Sequence, residues 1–300
     1  MKQIFSISFF AFSVLLSSMN SYADIKPITK ASDGLVWGGC GITKKAFMAE
    51  LAKAYEKKTG VHIDLQGGGA TKGIRGVGKG TIHIGGACRA SMEFHDEERY
   101  VKQVPVAWDA IVFVVHNSNP LDNITMEQVR AIYNGDITNW AQLGGKDAPI
   151  DLYVRKSPIS GVGQTLRELV FNDTEKEFTQ KAHIVKSSGP AEKAVEKIVT
   201  AMTATGVSSA RRRDVKILKV GGHEPSYDNI KEGKYMLYRP LYLVTKLSVR
   251  NSLVANFVKY ATSEEGMEVI RRSGTVPYTD ALHLLSRHFR QYEKALASGL

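Results

Sequence analysis

Apolar and polar positions change period repeatedly along the chain. In residues 43–58, Phe47, Leu51, Ala54 and Tyr55 recur on one side of a 3.6-residue period, which predicts a helix ended by Gly60. The apolar stretch Gly34 to Trp37 before it and the alternating Val61 to Leu65 after it read as strands. Gly67 to Thr71 then leads into a second short helix carrying Ile74 and Val77, and Thr81 to Ile84 forms the next strand, closed by Gly85-Gly86. This βαβα order predicts an open, mostly parallel sheet, in which ligands sit beyond the carboxyl ends of the strands.

The pattern continues with strands at Val101 to Pro105 and Ala110 to His116, the second apolar enough for the middle of a sheet. Asn117-Ser118-Asn119-Pro120 breaks it and marks a crossing between two lobes. Beyond the break, helices are expected from Thr125, over Gly161 to Phe171, and over Ala191 to Met202 behind Pro190, with a strand at Ile150 to Val154. The chain returns at Lys231 to Pro240 into a strand, Leu241 to Thr245, and a helix, Leu253 to Tyr260. Leu282, Leu285, Phe289, Tyr292 and Leu296 form an amphipathic tail whose stripe is expected to pack into the core. The expected division is residues 24–115 plus 236–280 as lobe 1, 116–235 as lobe 2, and 281–300 as a tail helix on lobe 1. Two α/β lobes joined by more than one crossing enclose a cleft suited to hinged capture of a solute.

Composition changes the picture in two places. Hydrophobic residues make up 43% of the 300, enough for a sizeable core, and Lys+Arg 40 against Asp+Glu 30 leaves a formal charge of +10. That excess suits nucleic acid, an acidic membrane surface or a small anion. The amino terminus narrows the choice. Lys2 precedes a short apolar run, Ile4 to Leu16, and Ala23 offers a small residue for cleavage, so residues 1–23 read as an export signal. The mature protein is then expected to be a soluble, monomeric periplasmic protein without a nucleic-acid partner.

Three Gly-rich stretches fall where a strand hands over to a helix: Gly38 to Thr43, Gly67 to Thr71, and Ser160 to Gly163. Successive backbone N–H groups in such turns converge, and helix starts add partial positive charge, so they can hold an anion. None ends in the Gly-Lys-Ser/Thr of a nucleotide-binding loop.

These stretches also carry a resemblance. Gln66-Gly67-Gly68-Gly69-Ala70-Thr71-Lys72-Gly73-Ile74, the block Ile124 to Trp140 containing Tyr133-Asn134-Gly135-Asp136, Ser160-Gly161, and Tyr238-Arg239-Pro240 resemble the periplasmic phosphate-binding proteins of ABC importers. The resemblance implies an α/β, type II periplasmic binding fold with the ligand cleft between two lobes, no catalysis, no cofactor, and an importer permease or membrane sensor as partner. It places the oxyanion loops on Gly41, Ile42 and Thr43, on Ala70 and Thr71, and on Ser160, Gly161 and Val162. The cation falls on Arg155 or Lys156, with Arg89 a further donor. A guanidinium grips two oxygens where an ammonium offers a point charge, which favours Arg155.

The resemblance implies an aspartate that accepts a hydrogen bond from a protonated oxyanion, and here that position is Cys88. The chain's other cysteine, Cys40, lies in the first loop, so the pair is expected to meet at the cleft. In an oxidising compartment that predicts a disulfide; the alternative is a thiol pair holding a soft metal, sulfur or arsenic species. His62, His83, His95 and Met92 lack a metal-ligand spacing, and no metal is expected.

Overall fold

The computed structural model describes residues 34–92 and 94–297, so the proposed leader, residues 1–23, lies outside the described residues. In chain order the strands of one half of the sheet are β1 (Leu35–Gly39), β2 (Ile63–Gln66), β3 (Ile84–Ala87) and the start of β4 (Val101–Val115). The chain then builds β5 (Asn123–Ile124), β6 (Asp151–Arg155), β7 (His183–Val185), β8 (Ala201–Gly206), β9 (Lys216–Ile217) and β10 (Lys219–Val220). It finishes with β11 (Tyr238–Lys246) and β12 (Val276–Pro277).

The main sheet runs β2-β1-β3-β11-β4-β8-β6-β7. β1 pairs in parallel with β2 and β3, whereas β11 enters antiparallel between β3 and β4. β4 belongs to both halves. Residues 101–110 pair with β11, and residues 111–115 with β8. The returning chain lies beside this change of partner, where Ile111 N donates to Leu237 O and Tyr235 Oη donates to Ile111 O.

Two strands expected at 101–105 and 110–116 are thus one. Pro105, which has no N–H for the ladder, stands opposite Tyr242 where the register slips between Leu241 and Tyr242. A bulge is where a strand accommodates proline. The helix expected through Met202 ends earlier, at Lys197, and Ala201–Gly206 is a fully buried strand. Its small and β-branched side chains fit between two neighbours.

Residues 41–59 are helical throughout, with a π-helical turn over Lys44–Met48, and bury Phe47, Leu51 and Tyr55. Met126–Asn134 opens with a capping box in which Thr125 and Gln128 satisfy each other's backbone N–H, and Gly135 closes it at φ 90°. The helix Gly69–Lys79 lies so close to the sheet that a Cβ on Gly73 would come within 2.8 Å of the carbonyl oxygens of Gly38 and Gly86. Only glycine permits that approach, and it holds the helix start at the ends of β1 and β3.

The tail helix Leu284–Ala297 turns only part of the expected stripe inward, with Leu285 half-buried against the core. Leu284 and Ala295 are buried and Trp108 packs edge-on against His288, while Leu282, Phe289 and Leu296 are exposed. The inward positions 284, 288, 291 and 295 follow steps of four and three, which a stripe drawn through the largest apolar residues misses. The helix packs against residues 167–171.

Candidate functional site

The three Gly-rich loops stand at strand ends as their composition predicts. The first follows β1, with Cys40 as the residue before the helical start at Gly41. The second turns on Gly68 and Gly69, both at positive φ, into the helix Gly69–Lys79. The third begins at Ser160, whose Oγ caps the next helix by accepting from Gly163 N at 3.1 Å. Ile42, Thr43, Ala70, Ser160, Gly161 and Val162 are buried, whereas Gly41 is exposed and Thr71 half-buried.

Contacts of the second loop and of residues 88–89 with the third loop bring them together. Thr71 Oγ1 and Arg89 Nε both donate to Ile159 O, at 3.2 and 2.8 Å. Thr165 Oγ1 donates to Cys88 O at 3.2 Å. Beneath them Arg239 Nη1 donates to Cys88 O and Gly161 O, at 3.2 and 3.1 Å, so one buried guanidinium ties the end of β3 to the third loop. Its Nη2 lies 3.4 Å from Asp109 Oδ2, and Asp109 Oδ1 accepts from the backbone and hydroxyl of Ser208.

Cys40 and Cys88 meet as expected, but they are free thiols with sulfurs 2.9 Å apart, a hydrogen bond rather than a bridge. The hydrogen bond to Cys88 lowers the Cys40 thiol; burial opposes this, and Arg239 and the amides of Thr43 and Ile42 reinforce it. The same hydrogen bond and burial push Cys88 up.

The three candidate cations separate. Arg89 is fully engaged: beyond Ile159 O it donates to Ala90 O, Thr71 Oγ1 and both oxygens of Glu98. Lys156 is exposed. Arg155 donates to Ser188 Oγ and Lys186 O, yet its buried Nε has no partner. Burial lowers the Arg155 guanidinium, and the two cysteines counter that shift, so their charge reaches it. Among the described residues, Thr43 Oγ1 and Arg239 Nε are also buried without a partner. Buried polar atoms are ordinarily satisfied, and three orphans around one pair of loops mark a place where something polar belongs.

Arg239 and Asp109 were not singled out from the sequence as site residues. The signal was present, since each is a charge inside an apolar strand. His62 pairs with Glu56, and His83 Nδ1 accepts from Val36 N.

A sheet shared by two α/β halves, with glycine-rich helix starts at its strand ends and unpaired buried donors beside them, has the architecture of a solute-binding protein. The comparisons agree. Residues 30–265 match the model of the PBP superfamily domain, and the chain belongs to that family. It is 27% identical over 247 residues to the phosphate-binding protein PstS of Borreliella burgdorferi, covering 79% of this chain and 87% of that protein. Against the PstS of Bacillus subtilis it is 26% identical over 257 residues, 84% of this chain and 83% of that one. Among solved structures it resembles a substrate-binding protein of a phosphate ABC transporter from Clostridium perfringens with bound phosphate, at TM-score 0.73 and 28% identity. An ABC-type phosphate transport receptor from Vibrio cholerae matches at TM-score 0.63 and 26% identity. Each alignment covers 81% of this chain and 99% of the other. The fold is the two-lobe α/β periplasmic binding fold.

Proposed function

We propose that the protein captures a small oxyanion of the phosphate class outside the cytoplasm and delivers it to an ABC importer. The observation that carries this reading is the set of three orphaned buried donors, on Thr43, Arg155 and Arg239, beside loops whose backbone N–H groups open at helix starts. The relatives' phosphate ligands and transport role supply the chemical class. Residues 41–43, 70–71 and 160–162 surround the oxyanion, and Arg155 supplies the charge. Arg89 fixes the second loop against the third.

The two lobes follow the two halves of the sheet, and they part and close about the paired crossings at residues 110–111 and 235–238. Residues 1–23 direct export, and the mature protein acts as a periplasmic monomer. Without an aspartate at position 88, discrimination against fully deprotonated oxyanions is relaxed. Among the described residues no helix is long and apolar enough to cross a membrane. Calorimetric titration with phosphate, arsenate and sulfate tests the reading. One-to-one binding of phosphate, weakened in Arg155→Ala, supports it, and binding of none of the three overturns it.

A further inference from the structure

Cys88 Sγ lies against the third loop: a Cβ on Gly161 would fall 2.2 Å from that sulfur and 3.2 Å from Ala70 Cβ. Cys40, 2.9 Å away, leads the first loop. The sulfur pair therefore sits where all three loops meet, in the place the oxyanion reading assigns to the ligand. We propose that Cys40 and Cys88 form a reversible dithiol–disulfide couple, oxidised by an external disulfide, whose state sets how tightly these loops hold an anion. The inference rests on the oxyanion reading above.

The geometry makes bond formation a small movement. Two sulfurs already in contact at 2.9 Å need to close to about 2.05 Å. The surroundings also choose the nucleophile. Cys40 precedes a continuous helical run, residues 41–59, and is near the buried Arg239 guanidinium, an arrangement that favours a thiolate. That thiolate attacks one sulfur of the external disulfide, breaking its S–S bond and expelling one thiolate. Cys88 then gives up its proton to that leaving thiolate and attacks the Cys40 sulfur, expelling the second, which takes up a proton from water. Two protein thiols are oxidised, and one external disulfide is reduced to two thiols.

Reduced, the pair places negative charge among the donors of the first loop, where it repels an incoming anion and competes for its N–H groups. Oxidised, the pair is neutral and the donors are released. Both cysteines are buried, so exchange takes place when the loops part, and a bound anion slows it.

The test uses the exported chain, treated with dithiothreitol or with glutathione disulfide. Thiol titration in denaturant is expected to fall from two to none on oxidation, and more slowly when inorganic phosphate is present. Calorimetry with inorganic phosphate near neutral pH is expected to show the oxidised form binding about tenfold tighter or more, as a charge removed within a few ångströms requires. Cys40→Ser should bind phosphate with one affinity in both treatments. Thiols that resist glutathione disulfide overturn the couple. Equal phosphate affinity in the two states overturns the inference and leaves the oxyanion reading standing; no phosphate binding in either state removes both. A Cys40→Ser variant that still responds to the treatments also overturns it.

Discussion

Arg89 follows β3 in one half of the molecule and Arg155 ends β6 in the other, and the structure uses them in opposite ways. Arg89 is 2% exposed and is matched by a carboxylate that is itself buried, with every guanidinium nitrogen engaged. Arg155 has no carboxylate within ion-pair distance among the described residues, holds a hydroxyl and a carbonyl, and leaves Nε bare. A buried cation whose charge is already cancelled is structural. One whose charge is left open is available to a ligand.

The largest expected effect lies on the structural side. Arg89→Ala strands Glu98 without its counter-charge in the interior, and breaking a buried pair from one side costs about 3–5 kcal/mol. Urea unfolding should show this loss, while Arg155→Ala changes stability by about 1 kcal/mol or less. Equal destabilisation by the two variants would erase the distinction between the halves.

Glu98 and Glu168 extend the comparison to pH. Burial works against the Glu98 charge, but Arg89 and Arg75 bond its carboxylate and hold it below the usual range. Its contribution is full above pH about 4.5 and is lost in acid. Glu168 is pushed up to about 7 by burial, with Gln164 as hydrogen-bond donor and Arg239 and Arg89 only partly offsetting it. The folded state keeps a proton that the unfolded chain releases near pH 4.5, so stability falls as pH rises from there to about 7, by on the order of 2–4 kcal/mol. Glu168→Gln should flatten that slope in urea titrations across the window. An unchanged slope would show that Glu168 is charged in the fold.

On the ligand side, Arg155→Ala should weaken phosphate binding by about 1.5–3 kcal/mol, the worth of a hydrogen bond to a charged group. Lys156→Ala should leave affinity within about 0.5 kcal/mol, as for a surface substitution. Calorimetry giving the reverse order would move the ligand cation one residue along the chain.

The smallest effect is expected at Lys45, which reaches from the helical run 41–59 to Glu192 and Ser209 in the other half. Glu192 keeps Arg213, Thr205 and Ser209 without it, so Lys45→Ala should cost about 1 kcal/mol or less in thermal unfolding.

Local chemistry accounts for what was legible in the sequence. Glycine runs at strand-to-helix handovers announce convergent N–H groups whatever the rest of the chain does, and Thr125 with Gln128 marks a helix start from four residues alone. The α/β class and the three loops followed from such short-range signals, as did the meeting of Cys40 and Cys88, since each lies at a strand end facing the same side of a parallel sheet. Tertiary structure decided the roles of the charges. Arg239 reaches Asp109 because β11 returns antiparallel between β3 and β4, a pairing across the chain that no local period encodes. Glu98 neutralises Arg89 while, among the described residues, no carboxylate pairs with Arg155, although both arginines look alike in sequence. Likewise the tail helix buries Leu284 and Ala295 rather than Phe289, because the face a helix turns inward is set by the surface that receives it.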